Sequence, residues 1–133
     1  MNNRRKGLAY VHEVKNILQK KGFIVEGPMF RPLFIRGKRS VVHADFFGCF
    51  DLVSYGLHVG GTRVGYQFHQ VSIDKEKSRK AKKMIEAGLP GFIWGRSIQD
   101  NKIIYNVYEV QWDELKLVNA IYLSDYKDKQ PCQ

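Results

Sequence analysis

The segment from residue 5 to residue 21 constrains this chain most. Tyr10, Val11, Val14, Ile17 and Leu18, with the stem of Lys21, recur at the 3.6-residue period, so a helix here presents one apolar side. Gly22 suits the left-handed position just past a helix end. Such a helix must lay its stripe on another surface, and the sequence that follows supplies β-like runs. Residues 23–26 form a short one, closed by Gly27 and Pro28. The stretch to Arg39 reads as a loop or mobile hairpin. Residues 51–55 and 66–73 are apolar runs joined through Gly56, Gly60 and Gly61, which predicts an antiparallel hairpin.

Pleating places Asp51, Val53 and Tyr55 on one face, Phe68, Gln70 and Ser72 on one face, and Gln67, His69 and Val71 on the other. Residues 74–87 turn helical again, with Ala81, Met84 and Ile85 inward and Gly88 as terminator. Residues 92–94 and 103–110 are two further strands about a polar turn at 99–102, and 124–133 reads as a frayed tail. The order is helix, three strands, helix, two strands. It predicts an α/β fold with a central mixed sheet flanked by helices, one domain over all 133 residues.

The net charge of +9 is unevenly placed. Residues 1–39 carry a surplus of +8 and residues 74–83 one of +4, while the rest is slightly acidic. Two basic blocks point to a polyanion, because phosphates gain free energy from released counterions when lysines and arginines neutralise them. The candidate DNA contacts are Arg4, Arg5, Lys6, Arg31, Arg36, Lys38, Arg39 and Lys80. Phe30 and Phe34, interleaved with this charge, suit a nucleic-acid clamp, whereas Phe46, Phe47 and Phe50 are expected in the core. A small RNA-binding protein fits the charge but lacks an RNP-like motif. No run approaches the roughly 18 apolar residues of a membrane span, and MNNRRKGLAY lacks the long apolar run expected of a secretory signal, so a cytoplasmic protein is expected. Cys49 and Cys132 support neither a disulfide scaffold nor a thiolate metal cage, and the four histidines show no ligand spacing.

Hydrolysis of a phosphodiester needs a means to neutralise the phosphate, activate water and support the leaving oxygen, which a hard divalent cation on oxygen ligands supplies. Oxygen donors are available in Glu13 at the edge of the first helix's stripe, Asp51 at a strand entrance and Gln70 on the paired strand. Each has an ordinary alternative. Glu13 can pair with a lysine one turn away, Asp51 can cap a turn, and Gln70 can bridge strands. Asp45, six positions upstream of Asp51, competes for the aspartate role.

In order and spacing these residues resemble the PD-(D/E)xK nuclease superfamily, and within it the archaeal Holliday junction resolvases and their viral relatives. RRKGLAYVHEVKNILQKKGFIVE is similar to the family's basic N-terminus, its glutamate-bearing helix and its entry into the first strand, with Glu13 in the glutamate's place. DFFGCFDLVSY is similar to the "PD" motif, with Phe50 where proline often stands and Asp51 as the metal-binding aspartate. FHQVS is similar to the (D/E)xK strand, Gln70 matching the acid and Ser72 the lysine. The resemblance covers residues 4–94.

It implies a restriction-endonuclease-like αβββαβ core and a homodimeric, structure-selective DNA endonuclease, with branched DNA among its substrates and a prokaryotic or viral origin. Mg²⁺ or Mn²⁺ would be held by Glu13, Asp51 and Gln70, with Ser72 and Lys75 completing the catalytic set. Gln70 removes one formal negative charge from that ligand set, which weakens the cation's hold. Ser72 cannot act as a cation, which leaves Lys75 or Lys77 to swing back. The same departures fit a nuclease scaffold retained only to bind DNA.

Overall fold

The computed structural model describes residues 3–57, 63–71, 75–111 and 114–126. It begins with helix α1, Asn3–Lys20, followed by strands β1 (Ile24–Glu26), β2 (Met29–Ile35), β3 (Lys38–Ala44), β4 (Leu52–Leu57) and β5 (Arg63–Gln70). Helix α2 (Lys75–Glu86) leads to β6 (Gly91–Gln99), β7 (Lys102–Gln111), β8 (Glu114–Tyr122) and a 3₁₀ turn, Leu123–Tyr126. Six strands make one sheet in the order β1-β4-β5-β6-β7-β8, and β2 and β3 form a separate two-stranded arm. All neighbours in the large sheet are antiparallel except β5 and β6, which are parallel and joined through α2. The protein is therefore mixed α/β. Among the described residues no helix is long and apolar enough to cross a membrane.

Both helices stop where the sequence indicates. After α1, Gly22 has φ +98°, its N–H bonds to the Gln19 carbonyl at 3.0 Å, and the Phe23 N–H reaches back to Leu18 at 3.1 Å. Gly88 at φ +110° ends α2 in the same way, with Leu89 N–H on the Met84 carbonyl at 3.0 Å. These are Schellman endings, in which a left-handed residue lets the orphaned last carbonyls find donors.

The sheet is covered on both faces. Val11, Val14, Ile17 and Leu18 of α1 pack with Leu52, Val71, Trp94, Tyr105, Val107 and Ile121. On the other face Ala81 of α2, with Met84 and Ile85 beside it, meets Phe50, Phe68 and Ile93. The consecutive residues Ile93 and Trp94 fall into opposite clusters, as the two-residue period of a strand requires.

The structure revises several expectations. Of the loop and the hairpin expected up to Arg39, the structure has the hairpin, the β2–β3 arm, which turns at Arg36 and Gly37 with φ of 53° and 76°, the type of two-residue turn that matches strand twist. The strand expected at 92–94 runs from Gly91 to Gln99, and β8 is an additional strand. The sequence did not announce β8 because only Ile121 among its residues is buried, so it carries no alternation. Residues 124–126 belong to the 3₁₀ turn, where Leu123 is buried and Tyr126 packs on the α1-side core. The remainder of the expected tail, 127–133, lies outside the described residues. Phe50 is core and Phe46 packs against it, but Phe47 is 60% exposed.

Candidate functional site at the end of the β4–β5 pair

A tight loop delivers Asp51 to the sheet. Phe46 and Phe50 exchange backbone hydrogen bonds of 2.7 and 3.0 Å across Phe47 and Gly48, both in the left-handed region at φ 56° and 73°. Asp51 follows one residue before β4. Its N–H donates to the His69 carbonyl at 2.8 Å, and its Oδ2 accepts the Val71 N–H at 2.8 Å. The carboxylate thus stands in for a missing strand carbonyl just beyond the end of β5. Asp51 is 1% exposed.

Gln70 is the last residue of β5 and is wholly buried on the α2 side. Its Nε2 donates to Ser78 Oγ at 3.1 Å, and that hydroxyl lies 3.3 Å from Oε1. Ser78 was not singled out from the sequence. A usable signal existed, since Ser78 precedes buried Ala81 by three residues and shares its inner stripe, and a polar group there needs a polar partner on the sheet.

Asp45, at the foot of the arm, joins the same end. Its Oδ2 lies 2.8 Å from Lys77 Nζ. Of the two lysines beyond the strand, Lys77 turns back to a carboxylate, whereas Lys75 is exposed. The Lys80 ammonium lies 3.7 Å from the point a Cβ on Gly48 would occupy. Buried Cys49 senses the whole group: burial pushes its thiol up, Asp45 and Asp51 add to the rise, and Lys80 and Lys77 oppose it. Two carboxylates, an amide and two ammonium groups therefore share this end of the sheet. Hard oxygen donors of this type suit Mg²⁺ or Mn²⁺. Among the described residues no three or more His, Cys, Asp and Glu side chains form a metal-binding group, so a cation here would draw on the Gln70 amide oxygen beside a carboxylate.

Glu13 sits elsewhere. It faces the α1 side, where its Oε1 accepts from the buried Tyr105 hydroxyl and from Arg96 Nε at 3.2 Å. The Arg96 guanidinium stacks over the Tyr10 ring at 4.2 Å. Burial, then the bond to Glu13, holds the Tyr105 phenol far above its ordinary range. Arg96 is raised as well, Glu13 and Tyr105 outweighing the lowering by burial. The structure thus brings Asp51 and Gln70 to one end and ties Glu13 to β6 and β7 on the opposite face of the sheet. Glu13→Ala strips Tyr105 and Arg96 of their shared acceptor, and a loss of about 1–3 kcal/mol in denaturant-derived stability is expected, with an unchanged m-value.

Of the remaining sequence candidates, Ser72 lies outside the described residues. Arg4, Arg5 and Lys6 fall in α1 and Arg31 in β2, with side chains outside the described set. Arg36, Lys38 and Arg39 are exposed at the tip of the arm, with Phe30 and Phe34 also exposed along it. His69 points away from Gln70, as the pleat requires, into a buried network. No protein-family model matches this chain, and no curated protein or solved structure matches it either.

Proposed function

We propose that this chain is a divalent-metal-dependent DNA endonuclease on a restriction-endonuclease-like core, acting as a homodimer on branched or otherwise distorted DNA. The observation that carries the reading is the placement of buried Asp51 and Gln70 side by side at the end of an antiparallel strand pair, with Lys77 turned back to Asp45. The element order supports it: a helix, then the antiparallel strands β1, β4 and β5, then a helix leading to a parallel strand, with the β2–β3 arm inserted.

A bound Mg²⁺ or Mn²⁺ would supply charge neutralisation and a more acidic water. Asp51 and the Gln70 oxygen would hold it, with Asp45 adjoining. Lys77 takes the cationic place that the family motif gives to a lysine on the strand itself, and Lys80 and the arm's Arg36, Lys38 and Arg39 position the phosphate backbone. A second reading keeps the scaffold as a non-catalytic DNA binder. It is favoured by the engagement of Gln70 with Ser78 and of Glu13 with Arg96 and Tyr105.

Cleavage of a four-way junction, a flap and a linear duplex, each with Mg²⁺, Mn²⁺ or EDTA, separates the two. Metal-dependent cutting of at least one substrate sustains the nuclease; salt-sensitive binding without cutting by any metal leaves the binder. Gln70→Glu adds a negative charge beside Asp51, where Ser78 can still donate to it. Its expected effect is to shift the Mg²⁺ concentration for half-maximal cleavage down by about tenfold, roughly 1.4 kcal/mol.

A further inference from the structure

Among the described residues, cover on the α2 side of the sheet stops short of β1 and the far half of β4 and β5. Ile24, Tyr55 and Tyr66 stand in register across these three strands and are 68%, 40% and 62% exposed. The two tyrosine rings lie 4.7 Å apart, tilted by 51°. The next pair toward the candidate site is Val53 and Phe68, and the ring of Phe47 meets Phe68 edge-on at 5.4 Å. Beyond them come Asp51 and Gln70. The line Tyr66, Phe68, Gln70 follows one pleat face, and four residues of strand cover about 13 Å.

Two features indicate what this surface receives. Phe47 holds a left-handed backbone, unfavourable for an L side chain, yet apart from its contact with Phe68 the residue stays 60% exposed. Beside it, past Gly48, lies the Lys80 ammonium, and exposed Lys75 and Lys83 continue along α2 on the same side of the sheet, where Arg79 pairs with Glu76 at 2.7 Å. Aromatic faces next to cations complement bases next to phosphates. A second copy of the chain would bring the lysines of this face against themselves, so isologous pairing through it is disfavoured.

We infer that Tyr55, Tyr66 and Phe47 form a stacking platform for the unpaired bases of single-stranded DNA, running on to the Asp51–Gln70 end, with Lys80 taking a backbone phosphate. Aromatics on an open sheet face stack two or three bases in this way in other nucleic-acid binders. The inference takes from the proposed function only that the polyanion is DNA. It gives the site a preference for substrates with a single-stranded segment, such as flaps and opened junctions.

The test is fluorescence anisotropy on the full chain in EDTA, so that binding is read without cutting, with a labelled oligothymidylate and a blunt duplex. Tyr55→Leu/Tyr66→Leu keeps the face apolar, and circular dichroism melting verifies that it folds; Phe47→Leu is measured separately. Oligothymidylate affinity is expected to fall about 10- to 100-fold in the double variant, with duplex affinity within about twofold and the dependence on log salt unchanged. Lys80→Ala should instead flatten that salt dependence by nearly one ion. Failure of the parent to bind oligothymidylate, an undiminished affinity in the folded double variant, or an equal loss for duplex would each overturn the platform. So would sedimentation showing that the double variant turns a dimer into a monomer with oligothymidylate binding intact. If no metal supports cleavage while the platform variants behave as expected, the nuclease reading fails and the platform stands.

Discussion

Asp51→Asn is expected to lower metal-dependent cleavage by about 100- to 1,000-fold while DNA affinity stays within about twofold, the size of effect that follows when several kcal/mol of charge stabilisation is removed. The substitution isolates charge from architecture. The Asn carbonyl can still accept the Val71 N–H that Asp51 Oδ2 holds at 2.8 Å, so the end of β5 stays pinned. Asp51→Ala does not preserve that bond. It leaves a buried N–H unsatisfied and should cost about 1–3 kcal/mol of stability as well as activity. Unchanged cleavage by Asp51→Asn would remove Asp51 from the chemistry. Asp45→Asn is the informative companion: Asp45 is engaged with Lys77 at 2.8 Å, so neutralising it weakens that ion pair and should alter cleavage less than the loss of Asp51.

Local signals in the sequence foretold what local forces decide. The apolar stripe of α1 names four residues that are buried, and Gly22 and Gly88 fall where the chain needs positive φ. The pleat separated His69 from Gln70 correctly, because a buried strand has only two sides to offer. What escaped were partnerships made by tertiary packing. Glu13 meets Arg96 and Tyr105 across 83 and 92 residues, and no periodicity near Glu13 encodes that. The edge strand β8 escaped because an exposed strand held mainly by its backbone ladder has no obligatory side-chain pattern. Phe47 escaped for a different reason. The tight turn between Phe46 and Phe50 lifts one aromatic out of a run whose other members pack inward, and three phenylalanines in five residues cannot reveal which one that is.

Lowering the pH is expected to destabilise this protein through His69 by about 1.4 kcal/mol for each unit below about 6.5. His69 is buried between Trp94 and Ser54. The indole Nε1–H of Trp94 donates to His69 Nδ1 at 3.0 Å, and an indole can only donate, so Nδ1 carries no proton. The ring proton is therefore on Nε2, which donates to Ser54 Oγ at 2.7 Å. A second proton would have to enter at Nδ1, facing another N–H. Burial pushes the His69 pKa down to about 3. In the unfolded chain it returns to about 6.5, so between these values the unfolded state holds one more proton than the folded state. The stabilisation is complete above pH 6.5 and is lost progressively as the pH falls toward 3. His69→Gln can still accept from Trp94 and donate to Ser54 but cannot titrate. Urea unfolding at a series of pH values should show the parent more stable at neutral pH, with the two curves converging by about pH 4. Parallel curves would mean that the imidazole charges without penalty. The consequence reaches the candidate site, because the His69 carbonyl holds the Asp51 N–H at 2.8 Å and the next residue is Gln70. An acid-induced loss of cleavage in the parent should therefore follow the unfolding curve and shift with it in His69→Gln, which separates the loosening of this strand end from titration of the carboxylates themselves.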